Sequence, residues 1–327
     1  MLTLPRLKQI RLKTRPLGQL LMANLVLSLD YRFPRKTEIE LQGLENLPQD
    51  RSVFIAMNHT DKYNYWPFQY RMHQLGLRYT ATWVKGKYYS HPVTARFLDN
   101  MNNIPMPSRG YLMVIRFNKV MGREPVGDEY RALRDLSEEN ISEEEARRMP
   151  GVDAYLDREE TDDYGALLEE RFIEYIDEVV RIHRDAQSSQ ALHFLVFPQG
   201  TRSVRLSAGR TGMMHMAQHL GLDIVPVGCN GCELLYPGDN PFSRGGKVVY
   251  RIGEILKLDG PELSPHRVLE DFKPFSRDAN LRHADKMQAA TEVVMGRIND
   301  LVEPKYQYDK ADIEDSPEVR NSVRRFV

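Results

Sequence analysis

Two short apolar runs end in the same way, and this restricts the fold more than any other feature. Residues 52–57 are almost wholly apolar and stop at Asn58-His59-Thr60-Asp61-Lys62-Tyr63-Asn64. Residues 192–197 repeat the pattern and stop at Pro198-Gln199-Gly200-Thr201-Arg202-Ser203. A short apolar run without alternation, closed by turn formers, reads as a strand buried on both faces. Such strands belong to parallel sheets covered by helices, and α/β proteins place their chemistry in the loops at the strand ends. The expected fold class is therefore α/β, with a mixed, largely parallel sheet flanked by helices.

The remaining chain fits that class. Residues 37–41, 78–84, 224–228 and 247–255 read as further strands, and 102–110 as a strand end and turn. Helices are expected at 61–75, with Pro67 near its start, and at 91–100, 163–186, 210–220 and 284–302, with Gly221 closing the fourth. The expected organisation is a helical segment at 1–36, an α/β domain at 37–306 and a loose polar arm at 307–327.

Charge divides the chain further. The formal net charge is −1, yet residues 118–170 hold seventeen acids against seven bases, a net of −10 that leaves +9 elsewhere. This stretch reads as an inserted, exposed helical segment, with Ser142 and Glu145 spaced for a capping box. A basic body suits anionic ligands or a membrane surface. The start is also polarised. Arg6, Lys8, Arg11, Lys13 and Arg15 precede the first acid, Asp30, and residues 17–29 are largely apolar. That segment reads either as a helix packed into the core or as an amphipathic helix lying on anionic lipid. No stretch reaches the roughly 18 to 20 apolar residues that a spanning helix needs. Two cysteines, Cys229 and Cys232, exclude a disulfide framework and fit a reducing compartment. On the lipid reading, the expected location is peripheral, on the cytoplasmic face of a membrane.

The strand-end loops hold the candidate chemistry. His59 can act as a general base if a partner on its other nitrogen sets the tautomer. Gly200 allows a tight turn, and Arg202 offers a planar fork suited to phosphate. Arg109, behind two prolines, could add a second fork. Cys229 and Cys232 lack a second pair for zinc, and His215 and His219 lack a third ligand, so no metal is expected.

Taken in order, these blocks resemble the glycerolipid acyltransferase superfamily, the 1-acylglycerol-3-phosphate (PlsC-type) acyltransferases and their relatives. The family pattern Asn-His-x4-Asp is matched by Asn58-His59 and departs at Asn64. An apolar strand ending in arginine is matched by Asn103 to Arg109. Phe-Pro-Glu-Gly-Thr-Arg-Ser is matched by Phe197 to Ser203 and departs at Gln199. A Val-Pro-Val strand is matched at Val225-Pro226-Val227, and residues 291–306 look like the family's closing helix.

The resemblance implies acyl transfer from a thioester of coenzyme A or acyl carrier protein to a hydroxyl of a phosphate-bearing glycerolipid acceptor. It implies a membrane surface as partner, and no cofactor or nucleic acid. His59 is then the base. Asn58, Arg109, Gln199, Gly200, Thr201 and Arg202 would hold the acceptor. Both departures replace a carboxylate by an amide. Asn64 can donate as well as accept and so can hold the wrong tautomer; the corresponding Asp-to-Asn change in a serine-protease triad costs roughly 10⁴ in rate. Asp61 is the nearby carboxylate that could stand in. The alternative is an impaired pseudoenzyme that binds a phospholipid or acyl thioester, or scaffolds a partner, without turnover.

Overall fold

The computed structural model describes residues 2–159 and 161–308. Among these, seven strands form one sheet: β1 (Thr37–Gln42), β2 (Phe54–Met57), β3 (Thr80–Lys85), β4 (Asn103–Met106), β5 (His193–Val196), β6 (Ile224–Asn230) and β7 (Gly246–Ile252). Their order is β1-β7-β6-β2-β5-β3-β4. All neighbours run parallel except β6 and β7. The fold is thus a mixed, mostly parallel sheet flanked by helices.

β2 lies at the centre, with Phe54 opposite Phe194 of β5 and Ile224 of β6. Its residues are buried throughout, which explains the missing alternation. Phe54 and Ala56 face a core shared with helices Arg109–Met121, Tyr164–Asp185, Gly212–Leu220 and Arg277–Leu301. Val53, Ile55 and Met57 face a second core with Ala23, Leu27 and helix Trp66–Gln74. β2, β3, β4 and β5 end on one edge of the sheet. The loops after β2 and β5 therefore meet side by side.

Several expected elements shift. The helix expected from residue 61 starts at Trp66. Pro67 has no N–H and fits only a first turn, so a start at Asp61 would have lost a helical bond to the Tyr63 carbonyl. Residues 61–65 form a turn instead. The last helix starts at Arg277, seven residues before 284, because Ser276 Oγ caps the Ala279 amide at 3.1 Å. β6 runs on to Asn230, which places Cys229 inside a buried strand.

The acidic stretch is helical, at Gly127–Ser137, Glu143–Arg147 and Pro150–Glu159, but it is not a solvated appendage. Leu133, Ala146, Val152, Tyr155 and Leu156 enter the main core. Its buried acids are paired: Glu159 with Arg116 and Arg171, and Glu129 with Arg123. The charge run masks an apolar stripe at helical spacing.

The N-terminal segment packs into the core and leaves an exposed apolar stripe. Leu2, Leu7, Ile10 and Leu12 are buried in the main core. A helical stretch follows, Leu17–Leu21, a wider π turn Met22–Leu27, and Ser28–Asp30. It turns Gln19, Ala23, Leu27 and Asp30 inward and leaves Leu17, Leu21, Leu25 and Leu29 exposed. Of the arm expected at 307–327, residues 309–327 lie outside the described residues.

Three buried histidines make this core acid-sensitive. Burial holds His183 at about 4, His193 at about 3 and His215 at about 4. His183 needs its neutral form, since Nε2 accepts from Trp83 Nε1 at 2.8 Å. Between pH 6.5 and 4 the unfolded chain binds more protons than the folded one, so stability falls as pH falls. Each histidine removes up to about 1.4 kcal/mol per pH unit across that window. Urea midpoints measured from pH 7 to 4.5 should drop steadily, with a smaller drop for His183→Gln. A flat profile would refute this account.

Candidate active site

β2 delivers Asn58 and His59 to the sheet edge, and three side-chain amides fix them there. Asn58 is buried, and its side chain spans the Cys229 backbone of β6. Nδ2 donates to the Cys229 carbonyl at 3.0 Å, and Oδ1 accepts from the Cys229 amide at 2.6 Å. Gln199 Oε1 accepts from the His59 amide at 3.0 Å. The Ser203 amide donates to the His59 carbonyl at 2.9 Å. The two loops that share a pattern in sequence are thus bonded to each other through the backbone of His59.

The third amide is Asn64. Its Nδ2 donates to the Asn58 carbonyl at 2.7 Å, and its Oδ1 lies 3.2 Å from His59 Nδ1. The Asn58 carbonyl can only accept, so the amide nitrogen must face it and the oxygen must face the imidazole. His59 then carries its proton on Nδ1, and Nε2 keeps the lone pair. Asn64 therefore holds the tautomer that a general base needs, contrary to the concern raised by its amide. What differs from a carboxylate is charge. The His59 ring stacks on Phe197, with centroids 4.1 Å apart and planes 15° apart. Burial lowers its pKa most; the Asn64 hydrogen bond opposes this, while the Arg202 and Lys85 charges add to it, leaving it at about 4. At neutral pH His59 is an unprotonated, weak base.

The other expected residues divide. Asp61 does not stand in for a partner of His59. Its oxygens accept from the Tyr63 amide at 2.8 Å and Thr60 Oγ1 at 2.9 Å, and burial raises its pKa. The two-residue offset turns the carboxylate toward its own loop. Gln199 is 2% exposed, with Nε2 directed at Arg205 O and Ser207 Oγ at 3.5 and 3.4 Å. It braces the loop and is withdrawn from any ligand. Gly200 has φ +68°, and a Cβ there would come within 2.7 Å of Arg210 Cδ. Thr201 follows, half-buried, and the Arg202 guanidinium is exposed, 3.7 Å from Asp239.

Arg109 departs most from expectation. It opens helix Arg109–Met121 behind the Ser108 cap. Its Nε and Nη2 lie 2.8 and 2.7 Å from Glu169 Oε2, and Nη2 donates to Phe275 O at 2.8 Å. The guanidinium also covers the Phe172 ring at 4.2 Å. β4 lies three strands from β2, about 14 Å at the usual spacing. Arg109 therefore belongs to an internal network. Arg202 is accompanied by two cations that sequence reasoning missed. Lys85 ends β3, and Arg210 leads into helix Gly212–Leu220. After burial, the charges of Lys87, Arg210 and Arg202 lower the Lys85 pKa, as expected of cations crowded together. Position at the end of a strand was the signal available for Lys85. Among the described residues no group of histidines, cysteines and acids is arranged to hold a metal ion.

No family model matches the sequence, and no curated protein matches it. A search of solved structures finds similarity to the 1-acyl-sn-glycerophosphate (LPA) acyltransferase PlsC from Thermotoga maritima, at 16% identity and a TM-score of 0.42, covering 94% of this chain and 81% of that one.

Asn64→Asp tests the role of the amide. A carboxylate beside Nδ1 should raise the His59 pKa by more than about 1 unit, read by NMR of the imidazole. The same change loses the donor to the Asn58 carbonyl and should destabilise the fold by about 1–3 kcal/mol. An unmoved His59 titration would refute the assigned hydrogen bond.

Proposed function

We propose that this protein transfers a fatty acyl group from a thioester of coenzyme A or acyl carrier protein to a hydroxyl of a phosphate-bearing glycerolipid acceptor, with His59 as general base. The observation that carries this reading is the His59–Asn64 pair, which leaves the lone pair on Nε2. In the reaction, Nε2 takes the proton from the acceptor hydroxyl as its oxygen bonds to the thioester carbonyl carbon. The carbon–sulfur bond then breaks, and the departing thiolate takes the proton from His59. Arg202, Arg210 and Lys85 supply the positive charge for the acceptor phosphate, a part that the motif pattern shares between Arg109 and Arg202. The exposed leucines of residues 17–29 and the cations before them suit attachment to the cytoplasmic face of a membrane.

The second reading is binding of the same ligands without turnover. The low basicity of His59 favours it, because general bases work best with a pKa near the operating pH.

The deciding assay offers purified protein a labelled acyl thioester and a panel of phosphate-bearing acceptors. Transfer should be abolished by His59→Ala, and kcat/KM should hold level down to about pH 5, well below the limb of an ordinary histidine. Transfer that persists in His59→Ala, or none with any acceptor, rejects the catalytic reading. Arg202→Ala and Lys85→Ala should each raise KM for the acceptor about tenfold or more and leave KM for the thioester little changed.

Membrane attachment is checked by point substitution, since Leu2 and Leu7 are core residues and a truncation would expose the core. Leu21→Asp/Leu25→Asp should abolish co-sedimentation with anionic vesicles while leaving the melting temperature within a few degrees.

A further inference from the structure

Helix Pro92–Asn100, the crossover from β3 to β4, carries a surface that the proposed reaction does not use. Ala95 is buried, while Val93 and Phe97, one turn apart, are 71% and 45% exposed. Tyr88, just before the helix, is 48% exposed. A surface helix normally turns charge outward; this one turns out an aliphatic and an aromatic side chain.

The helix is fastened to the N-terminal segment. A Cβ on Gly18 would come within 2.6 Å of the Asn100 carbonyl oxygen, so the two helices touch backbone to backbone. Gln19 Nε2 donates to the Met101 and Thr80 carbonyls, both at 2.8 Å. Asn102 Nδ2 donates to Lys13 O at 2.7 Å, its Oδ1 accepts from the Lys13 amide at 3.0 Å, and Arg6 pairs with Asp99.

From this junction both apolar stripes lead toward the edge that holds His59. Helix Pro92–Asn100 begins just after the end of β3. The N-terminal helix leaves Thr80, at the start of β3, and ends at Tyr31, whose carbonyl accepts from the Thr37 amide at the start of β1. β1 runs opposite to β2, because β6 and β7 are antiparallel, so its start lies on the edge where β2 ends.

Charge identifies the occupant. Residues 2–29 and 84–100 hold eight lysines and arginines against one acid, Asp99, which pairs with Arg6, in a chain whose net charge is −1. Apolar side chains with cations in excess around them complement an anionic lipid surface.

We propose that helix Pro92–Asn100 is a second membrane-contact element, inserting Val93 and Phe97 into an anionic phospholipid interface beside the N-terminal helix. This rests on the membrane attachment proposed above. One helix gives a line of contact about which the body can roll. Two stripes define a plane and turn the His59 edge toward the lipid.

Tryptophan placed at the surface reads insertion without reference to activity. Phe97→Trp, Leu25→Trp and Leu281→Trp are mixed with vesicles of neutral and anionic phospholipid brominated along the acyl chains, and the fluorescence added to that of Trp66 and Trp83 is followed. The expected result is a blue shift and quenching at positions 97 and 25 and none at 281, which lies exposed on helix Arg277–Leu301. Val93→Asp/Phe97→Asp should weaken vesicle binding about tenfold with an unchanged melting temperature. Quenching at 25 without quenching at 97 overturns the second element and leaves the N-terminal attachment standing. No quenching at either position overturns both, and quenching at 97 alone overturns the two-stripe arrangement proposed here.

Discussion

The site depends on one amide that must donate and accept at once. Asn64 lies between a carbonyl that can only accept and an imidazole nitrogen that must donate. An aspartate there would satisfy the imidazole and meet the Asn58 carbonyl with a lone pair. Asn58 spans the backbone of the neighbouring strand, and Gln199 accepts the His59 amide, in the same neutral manner. Three buried amides thus fix the end of β2 to the strand on one side and to the loop on the other. Hydrogen bonds set the orientation of His59, and none of them lends it negative charge.

The charges that act on the His59 pKa are cationic, with Asp239 lying 3.7 Å from Arg202. Arg202 and Lys85 depress its pKa, and Arg202, Arg210 and Lys87 crowd Lys85. Several acids are paired within the helical layer. Glu169, Glu159 and Glu129 neutralise Arg109, Arg116, Arg171 and Arg123 within the helical layer. A near-neutral net charge therefore conceals a separation, with paired charges in the helices and an excess of cations at the strand ends and along the N-terminal face. Unbalanced cations attract anions, and the two such surfaces suit a phosphate and a lipid bilayer.

Much of the fold was legible because burial leaves its mark on strands. β2 and β5 lack alternation, and Gly221 and Asp163 mark helix ends. The errors had local causes. Pro67 moves to residue 66 a helix start expected at residue 61. The apolar stripe of residues 127–159 is hidden under a run of acids. The site was legible only along the chain. His59 and Asn64 are five apart in one loop and could be paired on paper. Nothing near Arg109 in sequence announces Glu169, sixty residues on, and nothing near Arg202 announces Lys85. Side-chain partners across a sheet follow from strand order, which the sequence does not display.

The low basicity of His59 follows from burial, partly offset by the Asn64 hydrogen bond, and from cations awaiting an anion. In the proposed reaction the acceptor brings that anion. A phosphate among Arg202, Arg210 and Lys85 cancels the positive field that opposes protonation of Nε2 and so raises the pKa of the base on binding. Linkage makes the effect reciprocal: His59, once protonated, holds the phosphate more tightly by the same factor. In most hydrolytic and transfer sites a fixed carboxylate steadies the imidazolium. In the proposed reaction the role falls to the substrate, and the base gains strength only when an acceptor occupies the site. An empty site would then leave a bound thioester facing a histidine too weak to activate water.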